Sequence, residues 1–180
     1  MIVWSNDSLP PLFSGAVRLT ISLLLGVAIL PLLKQRVEFT RPAVQSYFAA
    51  SLGAFGAMLL TYYGAQFVPS GLISVLFGIT PIITMIMSFY ILQEPLPRPL
   101  GRVGIIVSLC GLIALFAGKQ GSGDVQLHGI ASLLGANLCF SLSAVLLKKI
   151  DAGVPPFPTT VGALIVSTPA FWVLIYLTDS

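Results

Sequence analysis

A chain of 180 residues that is 56% hydrophobic and 8% charged, with a mean hydropathy of +0.98, lacks the polar surface of a soluble domain. The formal net charge of +3 does not signal nucleic acid, because the basic residues fall in short connections between apolar runs rather than on one face. Charge is absent between Arg41 and Glu94, between Arg102 and Lys119, and from Ala152 to Thr178.

A helix rises about 1.5 Å per residue, so roughly 20 apolar residues cross a hydrocarbon core of about 30 Å. The stretch from Arg41 to Glu94 is long enough to cross twice. Six helices are expected, over Pro10–Leu33, Ala43–Gln66, Ser70–Leu92, Pro99–Ala117, Leu127–Leu147 and Pro156–Thr178. The fold class is therefore an all-α integral membrane protein, a multi-helix transmembrane bundle. Pro11, Pro42, Pro99 and Pro156 fit first helical turns, where a missing N–H costs nothing. The amino terminus lacks a charged leader with a short apolar run and a cleavage site, so the spans themselves direct insertion.

The first helix carries Arg18, the one charge placed inside a span, about 10–12 Å from the outer end at 1.5 Å per residue. Arginine at a span centre costs about 2.5–3.5 kcal/mol on insertion scales. A counter-ion for an anionic substrate, a gate contact and a snorkelled contact to lipid phosphate all account for it. Near the outer end of the second helix, Tyr62 and Gln66 share a face, either as a polar mouth or as interfacial anchors. Val68-Pro69-Ser70-Gly71 then breaks the chain, with Ser70 the expected N-cap of the third helix.

On the third helix Ser74, Gly78, Pro81, Thr84 and Ser88 recur at spacings of three and four and share one narrow, polar face. Pro81 has no N–H for the carbonyl of Phe77, which needs a donor from water, a hydroxyl or a ligand. Thr80 and Thr84 are the nearby hydroxyls. A proline kink relieved by neighbouring helices and a substrate-lining role both fit. Glu94, beside Pro95, is expected to pair with Arg98 or Arg102.

Gly101, Gly104, Ser108 and Gly111 make a small-residue stripe on the fourth helix, and Ser132, Ala136, Cys139 and Ser143 make another on the fifth; both are expected to pack against neighbours. Gly118 to Asp124 is a flexible linker between them. Asn137 and Ser141, on another face of the fifth helix, can hydrogen-bond a solute or, the favoured reading, a neighbouring helix. His128, at the outer start of that helix, is interfacial. As the one histidine it cannot build a metal cluster, and Cys110 and Cys139, inside apolar segments, suggest neither a metal site nor a disulfide.

Lys34, Arg36 and Arg41, then Arg98 and Arg102, then Lys148 and Lys149 occupy alternate loops, while the opposite loops offer only Lys119. The positive-inside bias puts the basic loops in the cytoplasm and both chain ends outside. Trp4, Tyr62, Tyr63 and Tyr176 then lie near the outer interface and Tyr90 near the inner one. An exterior amino terminus before an uncleaved span points to a further helix upstream.

Pro10-Pro11-Leu12-Phe13 opens the first helix and Pro155-Pro156-Phe157-Pro158 the sixth, five spans later, so the two cross in opposite directions. Such inverted-topology repeats typify secondary transporters. The run Tyr62 to Gly71, then Leu76 to Pro81, Gln93-Glu94-Pro95-Leu96, and Gly101 to Gly111 resembles the EamA-type family of the drug/metabolite transporter superfamily. The resemblance covers nearly the whole chain and matches the second to seventh of ten helices arranged in two inverted halves of five. It implies a first repeat over residues 1–118 lacking its first helix, a linker over 119–126, and the start of a second repeat over 127–180. It also favours a cavity-lining role for the third helix.

The function expected is transport of small organic metabolites such as amino acids by alternating access, as an exporter or exchanger, in the bacterial cytoplasmic membrane. No carboxylate lies inside a span to couple protons in this portion. Candidate pathway residues are Arg18, Tyr62, Gln66, Ser74, Thr80, Pro81, Thr84, Ser88, Asn137 and Ser141. The partners expected are a small-molecule metabolite and the lipid bilayer, with a homodimer left open, and no nucleic acid, metal or cofactor. A nonfunctional fragment and a half-transporter that needs another copy are the alternatives. An intramembrane enzyme is disfavoured, because the Ser and Thr residues have no His or Asp partner and no paired aspartates occur.

Overall fold

The structure is a computed structural model that describes residues 11–95, 101, 103–107, 110–111, 114 and 127–178. Its elements are α1 (Pro11–Ile29), α2 (Arg41–Gly64), α3 (Ser70–Leu92), α4 (helical at residues 101, 103–107, 110–111 and 114), α5 (Leu127–Ile150) and α6 (Pro156–Thr178). By length and composition α2, α3, α5 and α6 can each cross a membrane, and α1 is a shorter apolar helix. The linker, Trp4, Lys119 and the side chains of Arg98, Arg102 and Ser108 lie outside the described residues.

Helix ends follow local chemistry. Thr40 caps α2 by accepting from the Ala43 N–H at 3.4 Å, with Pro42 in the first turn. α1 stops at Ile29 and not at Leu33 as expected, because Pro31 has no N–H to continue the ladder. The chain then turns through Lys34, whose φ is 53°. Ser70 is not a cap. Pro69 holds that position, its carbonyl accepting from the Ile73 N–H at 3.2 Å, while Ser70 is already helical. α5 runs to Ile150, past the expected Leu147, since Lys148 and Lys149 suit the negative end of the helix dipole. Left-handed Asp151 (φ 40°) ends it, as left-handed Gln93 ends α3.

Two helices are interrupted. α2 widens into a π-helical segment, Leu52–Ala57, and α3 breaks at Ile79 between Ser70–Gly78 and Thr80–Leu92. π segments cluster at functional sites. Both interruptions face α5. A Cβ on Gly53 would meet the Ser143 hydroxyl at 2.9 Å, and one on Gly56 would meet the Cys139 sulfur at 3.7 Å.

The same close approaches fix direction. Rising along α2 from Gly53 to Gly64, the facing residues on α5 fall from Ser143 to Leu133, so the two helices are antiparallel. α1 runs antiparallel to α6, with Gly15 on Phe171 and Gly26 on Val161. α3 runs parallel to α5, from Leu76 beside Asn137 to Glu94 beside Lys148. These pairings gather Glu38, Glu94, Lys148 and Asp151 at one end, with Tyr63, Val68 and His128 at the other.

Between helices in lipid there is no hydrophobic driving force, so close packing and hydrogen bonds decide. Ala16, Leu19, Leu164 and Phe171 form one cluster between α1 and α6, to which α2 adds Phe55. The Phe55 and Phe171 rings meet edge to face at 5.0 Å, worth about 0.5–1.5 kcal/mol beyond area. Val68, Leu76 and Leu133 form a second cluster joining α3 to α5.

The fifth-helix stripe packs as expected: Ala136 is fully buried and the Ser132 hydroxyl donates to the Leu60 carbonyl at 2.9 Å. For the fourth-helix stripe, a Cβ at Gly104 or Gly111 would meet nothing within 4 Å among the described residues.

Candidate functional site

The break in α3 creates the site. With proline at position 81, the Phe77 carbonyl has lost its usual donor. The Thr80 hydroxyl lies 2.6 Å from that carbonyl and also hydrogen-bonds the side-chain oxygen of Asn137. One proton can serve only one of these acceptors at a time. The Asn137 amide nitrogen donates to the Leu76 carbonyl at 2.8 Å, which fixes which way the amide points. One turn further on, Thr84 donates to the Thr80 carbonyl at 2.9 Å and stands 2.9 Å from the Ser141 hydroxyl. Asn137 and Ser141 are wholly buried. A polar ladder thus joins the interrupted helix to α5 and supplies donors that lipid cannot.

Alongside this ladder lies a cavity of about 600 Å³. Thr80, Pro81, Thr84 and Ser88 line it on the α3 side, with Phe140 and Ala144 from α5 and Ile105 from α4. It extends to Glu94 and Pro95 at the end where the basic residues gather. Glu94 pairs with Lys148 at 2.6 Å, while the expected Arg98 and Arg102 lie outside the described residues. The two side chains are 37% and 61% exposed, so the pair is worth about 0–1 kcal/mol. Toward the opposite end, the Val68, Leu76 and Leu133 cluster fills the space between α3 and α5.

Of the ten candidate residues, four line the cavity and two more, Asn137 and Ser141, form its buried backing. The other four lie elsewhere. Arg18 is exposed on α1, and Ser74 is exposed on the outer half of α3, bonded to the Ser70 carbonyl at 3.3 Å. Tyr62 is not at a mouth: it is 1% exposed, packed beside Gly15 of α1, whereas Gln66 is exposed and reaches back to the Tyr62 carbonyl at 3.4 Å. Tyr62 is therefore not an interfacial anchor, while Tyr63, Tyr90 and Tyr176 are exposed. His128 meets Phe67 edge to face with ring centres 4.5 Å apart.

Met85, Phe89 and Phe140 were not among the candidates yet line the cavity. Met85 and Phe89 each follow a candidate hydroxyl by one residue, so a wider arc around Thr84 and Ser88 would have included them. The chemistry available is an apolar wall with three hydroxyls and one carboxylate at the end. Among the described residues no group of three His, Cys, Asp or Glu side chains could hold a metal ion.

Residues 2–117 match the EamA-like transporter family. The chain belongs to that family. It is 32% identical over 146 residues to the uncharacterized transporter YoaV of Bacillus subtilis (strain 168), covering 81% of this chain and 47% of that one. To the uncharacterized transporter YvbV of the same organism it is 26% identical over 174 residues, 91% of this chain and 54% of the relative. The chain thus spans about half the length of these curated relatives. No solved structure matches it. EamA membership makes this a multi-pass membrane protein of a transporter family.

Proposed function

We propose that this EamA chain supplies part of the pathway of a transporter for small organic metabolites, amino acids among them, working by alternating access as an exporter or exchanger in the bacterial cytoplasmic membrane. The observation that carries the reading is the cavity beside the break of α3: four candidate residues line it, and it reaches the basic end while an apolar cluster occupies the other. Walls rich in Phe and Met with a few placed hydroxyls suit a small, partly apolar solute. The antiparallel contact of α1 with α6 supports an arrangement in two inverted repeats, residues 1–118 and 127–180, since those helices open alike and cross oppositely.

A second reading is a half-transporter whose pathway is closed by another copy. Counterflow of radiolabelled amino acids into liposomes holding this chain separates the two: flux at a protein density of one copy per vesicle supports an autonomous carrier, and flux only at higher density supports a pair. If neither density moves any amino acid, autonomous transport by this chain, alone or as a pair, is rejected. Thr84→Trp and Ser88→Trp each place an indole in the cavity and are expected to lower flux at least tenfold with insertion unchanged. Wild-type flux in both variants removes this face of α3 from the pathway.

A further inference from the structure

Three hydroxyls are buried along the seam of α1, α2 and α6 with no partner among the described residues: Tyr62 Oη, Ser167 Oγ and Thr168 Oγ1. Their residues are 1%, 0% and 7% exposed. Close approaches and helix spacing put them on one stretch of that seam. A Cβ on Gly15 would meet the Tyr62 ring at 3.3 Å and the Phe171 ring at 3.2 Å, so both rings flank one point of α1. Ser167 and Thr168 precede Phe171 by one helical turn and share its side of α6, within an arc of about 100°.

A buried hydroxyl without a partner loses its hydration and gains nothing in return. Helices offer such groups an easy remedy, the carbonyl one turn back. Thr20, Ser46 and Thr61 take it, donating to the carbonyls of Ala16, Pro42 and Ala57 at 2.7, 3.1 and 2.6 Å. Ser167 and Thr168 do not. Nor does a charge account for them, since Arg18 is exposed on α1 and Arg41 sits at the end of α2.

We propose that Tyr62, Ser167 and Thr168 form a second polar site, distinct from the cavity beside α3, that takes a neutral hydrogen-bonding group able both to donate and to accept. An internal water and the hydroxyl or amide of a solute share that chemistry. The solute arm rests on the transport reading; the water arm does not.

The test uses Tyr62→Phe, Ser167→Ala and Thr168→Val, singly and combined, in the full chain. Each removes a hydroxyl, with little change of shape for the Tyr62 and Thr168 variants. Thermal unfolding in detergent without solute reads the water arm, and the KM of amino-acid counterflow reads the solute arm. A resident water predicts that the variants unfold at lower temperature than wild type. A solute contact predicts unchanged or higher unfolding temperatures with a KM raised about tenfold, as one lost hydrogen bond to a ligand implies. Variants that unfold at the same or a higher temperature and keep the wild-type KM overturn the site, as a dry seam would behave. Should the wild-type chain move no amino acid, autonomous transport fails by itself, and the unfolding temperatures alone decide.

Discussion

Asn137 shows how one side chain can repair a broken helix. Its amide nitrogen occupies the Leu76 carbonyl and its oxygen meets Thr80, both at the interruption of α3. Replacing it with alanine takes one of two donors from the Leu76 carbonyl, which keeps the Ile79 N–H at 3.2 Å, and leaves Thr80 with the Phe77 carbonyl alone, so the loss falls at the low end of the roughly 1–3 kcal/mol for a group left wholly unpaired. Measured couplings in membrane proteins average about 0.6 kcal/mol. For Asn137→Ala the expected loss is therefore about 1 kcal/mol, read as the change in unfolding free energy in mixed micelles. A double-mutant cycle with Thr80→Val is expected to show coupling of at least 0.5 kcal/mol or so, as residues in one hydrogen-bond network do. Additive losses would mean that the Thr80 contact contributes nothing. Half of this arrangement is readable from the sequence: Pro81 orphans the Phe77 carbonyl by simple i−4 counting, and Thr80 is beside it. That Asn137 serves the Leu76 carbonyl is not readable, because the two are 61 residues apart and periodicity says nothing about which helix faces which. Ser167 and Thr168 were passed over, although Ser-Thr-Pro in the middle of an apolar span is a signal in itself.

Helices here meet through glycines, and two of them make opposite predictions. A Cβ on Gly162 would lie 2.4–2.7 Å from the Tyr47 ring, which the Tyr47 hydroxyl pins by donating to the Glu38 carbonyl at 2.8 Å. Gly162→Ala is expected to push α2 and α6 apart and cost about 1–3 kcal/mol. Gly104 faces open space on α4, so Gly104→Ala is expected to be neutral or to gain up to about 1 kcal/mol from helix propensity. Thermal unfolding of the two variants checks both; equal losses would show that α4 packs as tightly as α6. A stripe of small residues looks the same in sequence whether or not anything lies against it, which is why the α5 stripe could be read as packed while no described residue lies against Gly104 or Gly111 of α4. The spans themselves are legible, since a charge in hydrocarbon costs kilocalories and the gaps between charges mark them. Their last turns are less so. Pro31 could have placed the end of α1, had the missing N–H been counted there as it was at Pro81.

Across the whole molecule, the packing gathers the ends of α1, α3 and α5 with the starts of α2 and α6. If this end is the cytoplasmic one, as its cations require, cysteines at Arg36 and Lys148 are labelled from the inside of right-side-out vesicles alone, and cysteines at Phe67 and His128 from the outside alone. Labelling of Arg36→Cys and Lys148→Cys from opposite sides would contradict the threading. The cavity shares that end with the cations, so the same labelling also states which compartment that end of the cavity faces.

The family match ends at residue 117, whereas Asn137 and Ser141 belong to a helix that starts after it. A polypeptide cut there would still be recognised by its signature, yet the carbonyl of Leu76 would keep only the backbone donor of Ile79 and lose the side-chain amide that ties it to a neighbouring helix. What identifies the chain and what fastens its interrupted third helix to the bundle are thus encoded in different stretches, and losing the second would leave the first unchanged to any reader of sequence.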